Sequence, residues 1–352
     1  MTSSASDPYD VIVVGAGLTG ALVASRLAEK GERVVVLEAV RTLGGTVRQQ
    51  PGLALLGTPQ PFLQLIEECG EEAAHLIWEL TSENLVRLEI LLEEMGIASE
   101  KTGSLRLAPN PAQSQIFRES ADQLATYGYG ITLEDDSRYG DLVAISTTDD
   151  LVFSPGDLIE ALLDNENISV ECDAEVQAVR PRPDGGVAVW AHQHYLWADK
   201  VVYANGIYAT ALEGSLASVL HPACVHTVVF ENTQSLVRPL ILDNGRVWFV
   251  PYREQAYMTG WNETEIDILW KLSPLAQQLC PDARVLTRFT TRVAGSDDLL
   301  PIVGRLSDES NLYLVDGLGP FGLNLALVAA DELVELIEND EPSELFGLER
   351  FA

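Results

Sequence analysis

The sequence predicts an α/β protein. It has a Rossmann-type dinucleotide-binding domain and a second domain built on an antiparallel sheet plus helices. Three observations carry this. Residues 10–39 read DVIVVGAGLTGALVASRLAEKGERVVVLEA: a strand, a glycine turn, a helix and a second strand. Residues 311–322 repeat the strand-then-glycine arrangement as NLYLVDGLGPFG, ahead of the helical LNLALVAADELVELI. In between, 51–142 carry helical periodicity, and 213–289 carry strand signals with turns at DNGR and REQ.

The first element is a β-branched run over 10–15, fitting a strand buried on both faces. Gly15, Gly17 and Gly20 follow in GAGLTG spacing, with Leu18 and Thr19 opening the helix. Gly15 permits a tight turn, Gly17 lets a pyrophosphate approach the backbone, and Gly20 allows close helix-to-strand packing. The amides at the helix start face the phosphates, helped by the helix dipole. RVVVLE ends at Glu38, followed by Ala39. Glu38 is placed to accept hydrogen bonds from a ribose diol, and its charge disfavours a 2′-phosphate. This motif alone does not separate NAD from FAD.

The next stretch, FLQLIEECGEEAAHLIWELTSENLVRLEILLEEMG, spaces Leu76, Leu80, Leu85, Leu88, Leu92 and Met95 near helical period, which predicts an apolar stripe there. Near the other end, Gly317, Gly319 and Gly322 are expected to lead into the last helix, with Pro320, Phe321 and Leu323 among them. A nicotinamide dehydrogenase has no need of such a second helix start. A flavin does, because a helix N-terminus stabilises negative charge on its reduced ring.

Composition excludes several classes. The 352 residues suit two domains, and 47% hydrophobic content supplies a core. The net charge of −31, with only Lys30, Lys101, Lys200 and Lys271 as lysines, argues against nucleic acid and anionic membranes. No apolar run is long enough for a membrane span. Cys69, Cys172, Cys224 and Cys280 lie far apart, without metal-like spacing, and suit a reducing compartment. The polar first eight residues leave no room for a signal peptide, so a cytoplasmic location is expected. His192 and His194 alternate on an expected hairpin; with no third ligand nearby they read as an exposed strand edge, and no metal is expected.

These motifs, in their order, resemble the FAD-dependent D-amino-acid oxidase and glycine oxidase superfamily, which includes sarcosine oxidases. The resemblance runs nearly end to end: GAGLTG with Glu38, GGT at 44–46, GSLRLA at 103–108 and DLVFSPGDLIEALL at 150–163. It continues with ADKVVYANGIYATAL at 198–212, VWFVPYREQAYMTG at 247–260, DLLPIVG at 298–304 and DGLGPFG. It implies an FAD-binding domain over 1–50, 143–212 and 290–352, interleaved with a substrate domain over 51–142 and 213–289. It further implies that Gly45 and Thr46 line the pyrophosphate, that the chain near Val176 covers the adenine, and that Asn205–Gly206 approach the cofactor. Gly319 to Leu323 would cradle the flavin ring.

The implied chemistry is oxidation of the C–N bond of an amine or small amino acid by hydride transfer to flavin, with oxygen or another acceptor taking the electrons. The sequence departs from the family at three points. The carboxylate-binding arginine expected eight residues before Pro301 is Val293, with Arg292 beside it. Adjacent strand residues face opposite ways, so either a bulge returns Arg292 to the pocket or the clamp is missing. Trp248 stands where related oxidases carry a tyrosine, and Leu318 where they carry a histidine. Tyr252 lies on the same expected sheet. No cysteine follows Cys280, so FAD is expected to be noncovalent. A flavin-dependent hydroxylase and a catalytically silent FAD-binding assembly or regulatory protein stay open, as does the oligomeric state.

Overall fold

The computed structural model describes residues 9–45, 47–134, 142–183, 185–231, 237–261, 283–307 and 310–351. The chain forms two compact units: 1–49, 155–223 and 292–352 make the first, and 50–154 and 224–291 the second.

The first unit is organised by an eight-stranded sheet. Strand Tyr9–Val14 lies between Val34–Leu37 and His194–Tyr203, parallel to both. Ile168–Glu171 extends the parallel array on one side and Leu312–Asp316 on the other. Val11 to Val13 and Val34 to Val36 are wholly inaccessible, as a strand covered on both faces requires. Helix Leu18–Glu29 buries nine of its twelve residues, including Leu22, Val23 and Leu27. The long strand His194–Tyr203 also pairs antiparallel with Val187–Ala191, which pairs in turn with Val176–Pro181. Ile302–Arg305 closes the far edge, antiparallel to Leu312–Asp316.

In the second unit, an eight-stranded sheet runs in the order 285–295, 221–231, 255–261, 247–252, 240–242, 104–107, 144–147, 131–134. One face packs Leu105, Leu107, Leu240, Val247, Phe249 and Met258 into a core. The expected turns are present: Asn244 and Gly245 adopt positive φ in DNGR, and Arg253 does so in the hairpin before Gln255. A three-stranded sheet joins Gly52–Ala54, Leu151–Phe153 and Ser99–Lys101.

Three expectations need correction. Residues 143–154 pair with the second unit's strands, and 213–223 cluster with the first, so the chain breaks fall at 154/155 and 223/224. Helix Glu71–Glu94 forms as expected, but its buried stripe runs through Ala74, Ile77, Trp78, Thr81, Leu85, Leu88, Leu91 and Leu92. Leu76 is exposed, because neighbouring Ile77 and Trp78 occupy the inward face. The last helix begins at Ala326 rather than at the glycines, which form a separate 3-10 segment, Gly319–Asn324. Among the described residues, no helix is long and apolar enough to cross a membrane.

Candidate functional site

Three adjacent parallel strands of the first unit end at Val14, Tyr203 and Asp316, and the glycine turns follow those ends. The glycines divide into two groups. Gly15 (φ +105°) and Gly20 are required by the protein itself. A Cβ on Gly15 would meet Ala204 O at 2.6 Å, and one on Gly20 would meet Gly15 O at 2.1 Å. Gly17, Gly45, Gly206 and Gly319 meet nothing within 4 Å, and the last three have positive φ. Their bare backbone opens onto free space, which is what close approach of a phosphate or a flat ring needs.

Hydrogen bonds fix this cradle. Gly15 N donates to Leu37 O, and Gly44 N donates to Ala16 O, tying the Gly44–Gly45 turn to the first glycine turn. Helix Leu18–Glu29 starts at Gly17 with no side-chain cap and no acid in its first turn, so its amides remain available for an anion. Half-buried Glu38 accepts from Ala16 N at 3.0 Å and Val40 N at 3.1 Å. Those two bonds orient the carboxylate and leave lone pairs for a diol. Ala39 beside it is exposed. Thr46 lies outside the described residues. Val176 is half-buried at the start of its strand, where the register shifts before Ala178.

On the neighbouring strand end, Asn205 carries a buried Oδ1 without a partner among the described residues. Asp316 ends the last parallel strand. Its Oδ1 accepts from Gly317 N at 2.9 Å, while Oδ2 is buried and unpartnered among the described residues. Burial pushes the Asp316 carboxyl up to about 7, against the opposing pull of the Gly317 and Gly206 amides. Sequence reasoning missed Asp316 as a site feature; its one signal was a carboxylate next to the second glycine turn. Pro320, Phe321, Gly322 and Leu323 are half-buried along the 3-10 turn. Leu318, at the position of the family histidine, bridges to Gly295.

Arg292 is exposed, between buried Thr291 and half-buried Val293 on strand Val285–Gly295. In the second unit, Trp248 is 6% exposed and pairs with Ile241 and Thr259. Tyr252 shares its sheet face four residues on, with the Arg253 guanidinium 4.9 Å from its ring centre. His192 and His194 sit exposed around a tight turn. Among the described residues no cluster of three metal-ligating side chains exists.

The cradle fits an extended dinucleotide: open glycines at two turns, uncapped helix amides and a carboxylate at the second strand end. A family model described as FAD dependent oxidoreductase matches residues 10–336. A probable oxidoreductase, OrdL, of Haemophilus influenzae is 35% identical over 122 residues, 34% of this chain and 28% of that protein. The tRNA 5-methylaminomethyl-2-thiouridine biosynthesis bifunctional protein MnmC of Legionella pneumophila is 24% identical over 95% of this chain and 55% of its own length. This chain therefore spans about half the length of that relative, and its match to OrdL spans little more than a quarter. Among solved structures, glycine oxidase from Geobacillus kaustophilus superposes with a TM-score of 0.81 at 19% identity, covering 99% of this chain and 98% of that one. L-amino acid deaminase from Proteus vulgaris gives 0.80 at 15% identity, with 99% of both chains covered. These likenesses establish the fold, and the family model establishes the lineage: the chain belongs to the FAD dependent oxidoreductase family, and its cofactor is FAD.

Proposed function

We propose that this oxidoreductase oxidises the C–N bond of an amine or small amino acid, with oxygen or another acceptor receiving the electrons. The observation that supports the flavin chemistry is the set of three open glycine turns on adjacent strand ends, at Gly17, Gly206 and Gly319. When bound, FAD supplies the two-electron acceptor. The chain's own groups bind and orient. Gly15 and Gly20 shape the turn that would offer the amides of Gly17, Leu18 and Thr19 to the pyrophosphate, and Gly45 and Thr46 are assigned to line it. Glu38 and Ala39 meet the ribose, and the chain at Val176 covers the adenine. Asn205 and Gly206, with Gly317 and Gly319 to Leu323, hold the ring end. Retention is read as noncovalent, because residues 281–352 hold no cysteine for a thioether link to the ring.

For the substrate, Arg292 is assigned to the carboxylate. Its exposed, planar guanidinium suits two-point binding of a carboxylate. Trp248 and Tyr252 are assigned as the aromatic surface that positions the substrate. The unpaired Cys69, Cys172 and Cys224 suit the reducing cytoplasm. The test is an anaerobic screen of amines and D- and L-amino acids, following loss of visible flavin absorbance. Bleaching by an amine or amino acid supports the reading, and Arg292→Ala then removes bleaching by carboxylate-bearing substrates. Failure of every compound to bleach a fully loaded protein would make it a silent FAD binder.

A further inference from the structure

In the second unit, Arg106 lies on strand Ser104–Leu107 and is 2% exposed. It shares a sheet face with Trp248, because both pair with Ile241 on the strand between them. One of its five N–H groups is accounted for: Nη2 donates to Leu56 O at 2.6 Å. Nε and Nη1 are buried and have no acceptor among the described residues. The guanidinium carbon lies 5.9 Å from the ring centre of Trp78, itself 1% exposed, and the Trp78 Nε1 donor is likewise buried without an acceptor.

The opposite charge that acts on Arg106, Asp150, does not satisfy these donors. Asp150 is wholly buried, and its oxygens accept from Leu56 N, Ser104 Oγ and Thr147 Oγ1. Its charge attracts the Arg106 guanidinium without supplying an acceptor to Nε or Nη1. Arginine stays protonated in proteins, so the guanidinium keeps its charge and all its donors. Unpaired buried donors are costly, more so when charged, and native interiors fill them. A group that only accepts matches an all-donor lining better than one that brings hydrogens of its own. Single negative charge and small size limit the desolvation cost of entry.

We infer that Arg106 and Trp78 form a buried binding site for a small monovalent inorganic anion of the chloride type. Such an anion completes the interior around Leu56 and Gly57. Gly57 is already fixed there, since a Cβ at that position would stand 2.4 Å from the Trp78 indole. The inference is independent of the proposed catalytic activity and requires no turnover.

The test uses FAD-loaded protein. Thermal midpoints are read in sodium chloride and sodium gluconate at equal ionic strength, and crystals are grown in sodium bromide for anomalous scattering. The expected result is a saturable, chloride-specific rise of a few degrees and a bromide peak within hydrogen-bond reach of Arg106. Arg106→Met abolishes the chloride increment. Trp78→Phe keeps the ring but loses the donor, and it weakens the apparent chloride affinity roughly three- to tenfold. Should Arg106→Met fail to fold, the bromide map and Trp78→Phe still decide. Equal midpoints in the two salts, or a non-anomalous water in the Arg106 position, would overturn the inference.

Discussion

Arg106 and Asp150 grip the same residue from its two backbone groups. Arg106 Nη2 donates to Leu56 O at 2.6 Å, and Leu56 N donates to Asp150 Oδ1 at 2.7 Å. Two buried, opposite charges thus hold the chain just after strand Gly52–Ala54, where Gly57 N also donates to Thr81 Oγ1. Removing the Asp150 carboxylate leaves Leu56 N, Ser104 Oγ and Thr147 Oγ1 buried without their acceptor. Asp150→Ala is therefore expected to cost about 3 kcal/mol or more. Denaturant unfolding of the variant beside the wild type measures it; a loss below about 1 kcal/mol would show that the pair is not structurally coupled.

Gly17 and Gly20 are three residues apart, yet their substitutions should fail in different ways. Gly17 has φ −68° and ψ 173°, which any residue adopts, and open space beyond it. Gly17→Leu should fold with a thermal midpoint near that of cofactor-free wild type and lose FAD. Gly20→Ala drives a Cβ to 2.1 Å from Gly15 O, so the turn itself must move. Its loss of stability should appear in cofactor-free protein, at roughly 2 kcal/mol or more. Calorimetry of both variants with and without FAD separates the two effects.

Glu38 is held by the Ala16 and Val40 amides, so its carboxylate reaches a ribose already oriented. Glu38→Ala should weaken FAD binding roughly ten- to a hundredfold, the range of one or two charge-assisted hydrogen bonds. Glu38→Gln should fall between it and wild type. Flavin fluorescence on titration of stripped protein reads the affinities, and an unchanged value in Glu38→Ala would remove the ribose assignment.

Asp316 gives the fold a pH signature. Its carboxyl is raised from 3.8 to about 7 by burial. The folded state therefore holds the proton more tightly than the unfolded chain. The stabilising contribution is complete below the unfolded value near 3.8 and is lost as pH rises through about 7. That loss has an upper bound of roughly 4 kcal/mol. Asp316→Asn cannot ionise, so it should gain stability relative to wild type at pH 8 and lose that advantage at pH 5. Thermal midpoints of the two proteins at both pH values test this. A difference that does not change with pH would place the titration elsewhere.

Local sequence was informative where one turn sets its own geometry. The roles read for Gly15 and Gly20 reappear as contacts with Ala204 and Gly15, because strand, turn and helix are contiguous. The second glycine run reads from sequence as the start of the last helix, whereas it forms a 3-10 segment ahead of Ala326, since helical periodicity does not distinguish the two over six residues. On strand Val285–Gly295 the alternation rule leaves Arg292 exposed and Val293 half-buried, as adjacent strand positions must be. Arg106, Asp150 and Asp316 were illegible as buried charges. Each becomes buried only through partners far along the chain, Leu56 at fifty residues' separation for Arg106 and Gly206 for Asp316.

The most direct measurement is calorimetric titration of cofactor-stripped protein with FAD and, separately, with NAD, followed by the same titrations on Gly17→Leu and a Gly319→Leu variant. One FAD should bind per chain, NAD should give no heat, and either substitution should abolish the FAD signal, because both open turns must receive one molecule. Binding of NAD in place of FAD, or full FAD affinity in both variants, would contradict the account.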